Sequence, residues 1–254
     1  MINYLGLYTL ARRETKRTMR IINQAIWPPV VSTLLYLFIF GLGLGSAIKG
    51  VNGVPYLTFL APGLILMNVI ETSYSDSADS LFVSRFTHNI QELLVAPLSY
   101  FDMVAGYIAG ALVRALLIGN VIMVIAWLFT GVHPVQWGLY FAMMTGVSII
   151  FSAIGLAHGL HAESFDQLAI PTTFFITPLV FFGGVFNAVQ ALPARFQPFA
   201  RANPIYYLID GFRSAITGHS EAALSLDLGV MIGLMVIAVS LAFGLFKRGY
   251  KLRT

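Results

Sequence analysis

The sequence predicts an all-α membrane protein with six transmembrane helices. Hydrophobic residues make up 57% of the 254 residues, charged residues only 10%, and the mean hydropathy is +0.80. Soluble domains carry about 25% charged residues, so this composition is typical of a multi-pass membrane protein. The apolar stretches lack strand-like alternation, and helices satisfy their own backbone hydrogen bonds in lipid. Six stretches come near or exceed the ~20 residues that a bilayer requires: 29–48, 56–83, 100–130, 137–160, 168–186 and 224–246.

The N-terminal residues 1–26 predict an amphipathic helix that lies along the membrane interface, because basic and apolar side chains alternate there. Trp27-Pro28-Pro29 marks the predicted turn into the first span. Basic residues also cluster near the C-terminus, at Lys247, Arg248, Lys251 and Arg253. Cytoplasmic segments are enriched in Lys and Arg, so we expect both ends of the chain in the cytoplasm and an even number of spans.

Nearly all of the mass is committed to membrane helices, so residues 1–254 are predicted to form a single transmembrane domain. The sequence pI of about 9.4 is explained by topology and by contact with anionic membrane lipids, and no nucleic-acid partner is expected. Cysteine is absent, which excludes disulfides, thiolate metal sites and cysteine nucleophiles.

A short polar helix is predicted at 85–97, between the second and third spans. An apolar face is formed at positions i, i+4, i+7 and i+8 by Phe86, Ile90, Leu93 and Leu94, and Pro97 ends the pattern. A helix of about three turns is marginal alone in water, so it must pack against membrane segments or a soluble partner.

Two other segments carry weaker signals. Residues 187–223 are too polar for a span and contain several prolines, which favours short helices that re-enter the outer leaflet, with a turn at Asn203-Pro204. Gly41 and Gly45 have the GxxxG spacing that permits close helix approach, although glycine is also common in membrane helices without such a role.

Charged residues inside or near the spans need a specific explanation, because an ionised group at the bilayer centre costs about 2.5 to 3.5 kcal/mol. Asp76 and Asp79 follow the outer end of span two by about 20 residues, so we expect them in solvent at the cytoplasmic surface. Glu71 and Arg114 lie deeper, and either pair with each other or line a substrate path. Glu71, Ser75 and Asp79 form an i, i+4, i+8 stripe predicted to face a dimer axis.

Two possible chemical sites carry little weight. His158 and His161 precede Glu163 and Asp166, but their spacing matches no zinc signature, and a solvated turn is the preferred interpretation, with no metal expected. Ser148 follows Gly146-Val147 but has neither the glycine that a nucleophile elbow requires nor an evident base, so an intramembrane protease is not favoured.

Several motifs, in this order, resemble an ABC type-2 transporter permease, the ABC-2 type membrane subunit of a bacterial ABC exporter. The resemblance covers essentially the whole chain. The matching segments are Ala61-Pro62-Gly63, Asn89-Ile90-Gln91-Glu92-Leu93-Leu94-Val95-Ala96-Pro97, Thr177-Pro178-Leu179, Phe182-Gly183-Gly184-Val185-Phe186, Asn203-Pro204 and Gly211-Phe212-Arg213.

The resemblance implies that segment 85–97 is a coupling helix that docks on a separate nucleotide-binding ATPase subunit. The implied docking residues are Arg85, Phe86, Asn89, Glu92, Leu93 and Pro97. It further implies a homodimer in the bacterial inner membrane that exports an amphiphilic or lipid-like substrate. This chain would not be an enzyme and would bind no cofactor, since ATP and Mg would reside on the ATPase. The alternative is an ATP-independent secondary transporter or channel, for which the repeated halves are missing.

Overall fold

The computed structural model describes residues 3–40 and 54–249, which are helical almost throughout. In chain order, the α-helices of the described residues are α1 (Tyr4–Arg20), α2 (Ile22–Phe38), α3 (Tyr56–Phe86), α4 (Ile90–Val95), α5 (Tyr100–Thr130), α6 (Trp137–His161), α7 (Phe165–Pro171), α8 (Thr177–Val180), α9 (Gln197–Ala202), α10 (Pro204–Thr217) and α11 (Leu224–Lys247). The π-helical segment Thr172–Ile176 joins α7 to α8, and a second one, Phe181–Val185, extends α8, so that Phe165–Val185 forms one helical rod. Residues Val189–Ala191 form a 3₁₀ turn.

Five of the six predicted membrane spans coincide with long apolar helices of the structure. Among the described residues, α3, α5, α6, the rod Phe165–Val185 and α11 are each long and apolar enough to cross a bilayer. The pair α1 and α2 makes a sixth candidate if this bent pair counts as one span. The first predicted span, 29–48, overlaps only the second half of α2, and its glycine pair Gly41 and Gly45 lies outside the described residues.

The boundary between the N-terminal helix and the first span is not where the sequence predicts it. The predicted helix 1–26 ends at Arg20, and the chain bends by 64° between α1 and α2. Pro28 and Pro29 were expected to mark this turn but lie inside α2. Proline is tolerated within membrane helices because neighbouring groups can bond to the backbone carbonyls that it leaves without a donor.

Helices α3 and α6 form the centre of the bundle and pack at backbone contact. A Cβ on Gly155 would collide with the carbonyl oxygen of Tyr74, and one on Gly159 would lie 2.7 Å from the carbonyl oxygen of Ala78. Buried hydroxyls bond across the same seam, as Ser73 Oγ donates to Ser148 Oγ at 2.9 Å. Small residues and interhelical hydroxyl bonds are the usual means of holding membrane helices together, so this seam behaves as one rigid unit.

Helix α1 packs along the first half of α5 through a second pair of glycines. A Cβ on Gly106 would lie 2.6 Å from Leu10 Cδ2, and one on Gly110 would collide with Glu14 Cβ. The i, i+4 spacing of these glycines is the close-approach pattern that the sequence suggested for Gly41 and Gly45. At the start of α5, Asn3 N donates to Asp102 Oδ2 at 3.2 Å, which fixes the beginning of α1.

The segment 187–223 contains short helices, as predicted, and α10 is the longest of them at 14 residues. Asn203 caps α10 by accepting from Ile205 N at 3.0 Å, and its amide donates to Leu179 O at 2.6 Å. Gly63 of α3 lies close to the Val185 backbone, since a Cβ there would lie 2.9 Å from Val185 Cα. These contacts tie the end of the rod to α3 and α10, and insertion of the short helices into a leaflet stays a prediction.

Candidate functional site

The predicted helix 85–97 is divided between two elements in the structure. Residues Arg85 and Phe86 form the end of α3, and a separate helix, α4, covers only Ile90–Val95. His88 interrupts the helix with φ of 59°, a left-handed conformation that a helix cannot continue through. The prediction of one helix of three turns was therefore wrong, and its apolar face does not exist as a single surface.

Arg85 has a structural position rather than a surface one. Its Nη1 donates to Gly159 O at 2.8 Å, to Leu160 O at 2.9 Å and to Ala162 O at 3.3 Å. The last carbonyls of a helix have no partner within the helix, and a guanidinium there satisfies them. Arg85 thus caps α6 and joins it to the end of α3.

Phe86 stays available at the surface although it belongs to α3. Its side chain is 63% exposed, and its ring lies 5.9 Å from that of Phe82 and 5.4 Å from that of Phe165. These contacts fix the orientation of the Phe86 ring, so that its outer face is an exposed apolar patch next to α4.

Helix α4 has one buried anchor and an exposed outer face. Ile90 is 3% exposed and packs into the core, whereas Asn89, Glu92 and Pro97 are exposed. Val95 is 88% exposed, an unusual position for an apolar side chain that the sequence reasoning did not single out. The outer face of α4 therefore presents one carboxylate and one apolar side chain to whatever lies beyond this end of the bundle.

An apolar cleft separates this segment from α1. It has a volume of about 300 Å³ and is lined mainly by Leu5, Leu10, Leu93, Pro97 and Leu98. Leu93 is partly buried because it forms one wall of this cleft. Asn3 Nδ2 donates to Pro97 O at 3.0 Å and joins the two walls.

A buried ion network lies between α1, α3 and α5. Asp76 is 2% exposed, and its Oδ1 accepts from Arg114 Nη1 at 2.6 Å and from Arg17 Nη2 at 2.8 Å. Arg17 Nε also donates to Glu14 Oε2 at 3.0 Å, and Ser80 Oγ donates to the same oxygen. The expectation that Asp76 is an ordinary solvated carboxylate was wrong, because it is the common partner of two guanidiniums.

The four predicted pathway residues line one cavity, but Glu71 and Arg114 do not form the ion pair considered as an alternative. Arg114 bonds to Asp76, and Glu71 Oε1 accepts instead from Thr177 Oγ1 at 3.1 Å. The cavity has a volume of about 390 Å³, and Glu71, Ser75, Asp79 and Arg114 all contribute to its wall. Its other walls come from α2, from Asn68 and Thr72 of α3, and from Thr172 of the rod.

Asp79, in contrast to Asp76, is exposed at the mouth of this cavity and takes part in none of the ion pairs of the described residues. The cavity therefore has two carboxylates, Glu71 and Asp79, that no arginine neutralises directly. Amide and hydroxyl groups dominate the remaining polar lining.

The two histidines near the end of α6 have protein partners. His158 Nδ1 lies 2.8 Å from the Tyr74 hydroxyl, and His161 Nδ1 lies 2.7 Å from the Ala157 carbonyl oxygen. No group of three His, Cys, Asp or Glu side chains suited to a metal ion occurs within residues 3–40 and 54–249. Ser148 accepts from Ser73 in the α3–α6 seam and belongs to helix packing.

A buried arginine organises the opposite end of the bundle. Arg213 is 5% exposed, its Nη2 donates to Gly184 O at 2.6 Å, and its guanidinium lies 3.8 Å from the centre of the Phe59 ring. Burial lowers the pKa of Arg213 to about 10, because desolvation outweighs the nearby carboxylates of Asp210 and Glu221. Gly184 has φ of 97°, which positions its carbonyl for this bond.

Sequence reasoning missed several of these residues. Glu14 is the only carboxylate of α1, and its position opposite the basic residues at 12, 16 and 20 could have indicated an inward-facing side chain. The pair Gly106 and Gly110 has the spacing that was noticed only for Gly41 and Gly45. By contrast, no local pattern distinguishes Asp76 from Asp79, since only their three-residue offset around α3 decides which one faces Arg17.

Comparison with known proteins gives a consistent result. The family model of the ABC-2 type transporter matches residues 6–217. The inner membrane transport permease YadH of Escherichia coli strain K12 is 36% identical over 251 residues, covering 99% of this chain and 98% of that protein. Nodulation protein J of Rhizobium leguminosarum bv. viciae is 29% identical over 250 residues, covering 97% and 95%. Nodulation protein J of Rhizobium meliloti strain 1021 is 26% identical over 240 residues, covering 93% and 91%.

Proposed function

The chain belongs to the ABC-2 type transporter family, and we propose that it is the permease subunit of an ATP-driven exporter in a bacterial inner membrane. The observation that supports this proposal is the position and exposure of α4. It is a short helix between two long spans, anchored by Ile90 and presenting Glu92 and Val95 outward. In this proposal α4 is the coupling helix, and the end of the bundle that carries it faces the cytoplasm.

A separate ATPase subunit supplies the energy in this proposal. The sequence contains no Gly-Lys dipeptide, which the phosphate-binding loop of such ATPases requires. ATP and Mg therefore bind to the partner, and this chain binds neither. The contact consists of Glu92 and Val95 of α4 with Asn89, Pro97 and the exposed ring of Phe86, a small apolar patch with a polar rim.

Arg85 contributes to this contact only indirectly. Its bonds to the carbonyls at the end of α6 hold the neighbouring end of α3 in place, and Leu93 forms the wall of the cleft next to α1. Both residues position the docking surface. The network around Asp76 then connects α1 to α3 and α5, so that a movement of α4 and α1 reaches the cavity walls as a rigid displacement.

The substrate path in this proposal is the cavity lined by Glu71, Ser75 and Asp79. Polar groups line its α3 wall, while its α2 side adds apolar carbons of Ala25, Pro28 and Pro29. An amphiphilic or lipid-like molecule fits this combination, with its polar head against α3 and its apolar part towards the lipid. A second copy of the chain would close the open side, which is why we propose a homodimer with the stripe near its axis.

Reconstitution tests the proposal. The chain is purified with a candidate ATPase from a neighbouring gene, placed in proteoliposomes, and tested with a panel of amphiphiles for stimulated ATP hydrolysis. We expect Glu71→Gln and Asp79→Asn to lower stimulation by at least several-fold at equal assembly, because each removes a charge from the cavity. Asp166→Asn, an exposed carboxylate outside the cavity, serves as the control.

Normal stimulation in both cavity variants would exclude this cavity as the substrate path. Amphiphile flux without any associated ATPase would favour an ATP-independent secondary transporter or channel.

A further inference from the structure

The second half of α1 carries a stripe of exposed basic side chains. Arg12, Lys16 and Arg20 recur every four residues and are exposed, and Arg13 is exposed beside them. The opposite face of α1 packs on α5 and is occupied by Leu10, Glu14 and Thr18, which are all buried. The stripe is thus a feature of the folded helix, which cannot rotate without opening its contact with Gly106 and Gly110.

Within residues 3–40 and 54–249, these four cations form no ion pair with a carboxylate. Glu14, the only carboxylate of α1, points inward and is held by Arg17 and Ser80. The three ion pairs found among residues 3–40 and 54–249 involve Arg17 and Arg114 but none of the four exposed cations. The positive charge of this face is therefore not neutralised by the part of the chain that the structure describes.

The basic side chains enclose a shallow cavity. Its volume is about 440 Å³, and its lining contains no carboxylate. The lining residues are Thr9, Arg12, Arg13, Lys16, Arg17 and Arg20. The four of these cations that lie outside the ion pairs of the described residues, Arg12, Arg13, Lys16 and Arg20, favour an anion with several acceptor oxygens, for which guanidinium groups supply matching donors.

The depth of this cavity relative to the bilayer identifies the source of the anion. Arg17 bonds to Asp76, which follows Tyr56, the first residue of α3, by 20 residues. At 1.5 Å per residue this distance is about 30 Å, the thickness of the hydrocarbon core. Arg17 and its neighbours on α1 therefore lie where the core meets the headgroups.

The length of α5 places the basic stripe at the same depth in the membrane. It is 31 residues long, so about ten residues at its start extend beyond a core of this thickness, and α1 packs against that part. Trp27, 63% exposed, follows the basic stripe in the next helix, as expected for a side chain at the membrane interface.

We infer that the basic face of α1 is a binding site for the headgroup of an anionic phospholipid in the leaflet at the α4 end of the bundle. The phosphate accepts from Arg12, Arg13 and Lys16, and the acyl chains lie along the apolar exterior of the protein. This site differs from the proposed ATPase contact, because the basic stripe lies at headgroup level whereas α4 extends further from the bilayer.

Competition between two lipids tests the site in the full chain. The purified protein is equilibrated with equal amounts of phosphatidylglycerol and phosphatidylcholine with the same acyl chains, and retained lipid is counted by native mass spectrometry. We expect enrichment of phosphatidylglycerol that declines at high salt. Arg12→Gln with Lys16→Gln should lower the enrichment about five-fold for each cation removed.

Two controls accompany this variant. Arg195→Gln with Arg201→Gln removes the same number of exposed cations elsewhere and should keep the enrichment. Arg12→Lys with Lys16→Arg preserves the charge and should also keep it. The inference is overturned if the wild-type chain shows no preference or if both glutamine variants behave alike. It is also overturned if inorganic phosphate alone displaces the lipid, or if the α1 variant releases an ATPase while its lipid enrichment is unchanged.

Discussion

Asp76 accepts from Arg114 at 2.6 Å through the same carboxylate oxygen that binds Arg17 at 2.8 Å. One buried oxygen thus joins three helices, α1, α3 and α5. Each guanidinium is only partly exposed, with 33% of the Arg17 and 20% of the Arg114 side chain accessible, so neither can rely fully on water. The network holds α1 at a fixed height along the bundle.

Replacement of this carboxylate tests the network. Asp76→Asn leaves two guanidiniums without their counter-charge, and we expect it to lower the free energy of unfolding by about 3 kcal/mol. Thermal unfolding in detergent micelles would measure the loss. Asp79→Asn is the matched control, one turn away on α3 and exposed, and should change the midpoint little. Equal midpoints for the two variants would show that the network does not stabilise the fold.

The contact between α1 and α5 depends on the absence of a side chain at Gly110. Gly110→Ala would place a Cβ against Glu14 Cβ, and we expect a destabilisation of about 1 to 3 kcal/mol as α1 moves outward. Limited trypsin digestion would detect this movement as faster cleavage after Arg12, Arg13 or Lys16. Gly233→Ala has open space around its Cβ and should leave the digestion rate unchanged. Slow cleavage in both variants would contradict the close packing.

Arg85 acts on the end of α6, so its replacement should affect stability first. Arg85→Ala removes the bonds to Gly159, Leu160 and Ala162, and we expect a loss of about 2 kcal/mol. The measurement is again thermal unfolding, with the exposed Arg12→Ala as control. If Arg85→Ala unfolds normally but no longer associates with an ATPase, the docking role implied by family resemblance is right and the capping role is secondary.

Membrane-spanning elements could be predicted well because length and hydropathy decide them locally. The predicted span 137–160 matches α6, Trp137–His161, and 100–130 matches α5. The predicted boundary between the N-terminal helix and the first span was wrong because Pro28 and Pro29 were interpreted as helix breakers, as they would be in a soluble protein. In membrane helices neighbouring groups compensate for proline, and the bend falls at Ile21 instead.

The charged residues were harder to predict because their partners lie far away in sequence. Glu71 and Asp79 line one cavity, because positions i and i+8 share a helix face, and the dimer axis that they were expected to face stays a prediction. Asp76 was misjudged because its partners Arg17 and Arg114 come from other helices, and no periodicity in α3 reveals them. The helix predicted at 85–97 was too long for a related reason. The chain leaves the helical conformation at His88, which has a left-handed backbone, and no glycine or proline at this position signals the break.

Association with an ATPase tests the central claim most directly. The tagged chain is expressed with a candidate ATPase from a neighbouring gene, and the amount that co-purifies is compared between the wild-type chain and two double variants. Glu92→Arg with Val95→Asp changes only exposed side chains of α4. His133→Arg with Val135→Asp makes matched changes in the loop between α5 and α6, at the other end of the bundle.

We predict that the wild-type chain and the His133/Val135 variant retain the ATPase in equal amounts. The Glu92/Val95 variant should lose at least nine-tenths of it at an unchanged unfolding midpoint, because reversing the rim charge and burying a carboxylate each cost more than about 1 kcal/mol. Full retention by the α4 variant, or no association of the wild-type chain at all, would contradict the claim that α4 couples this permease to an ATPase.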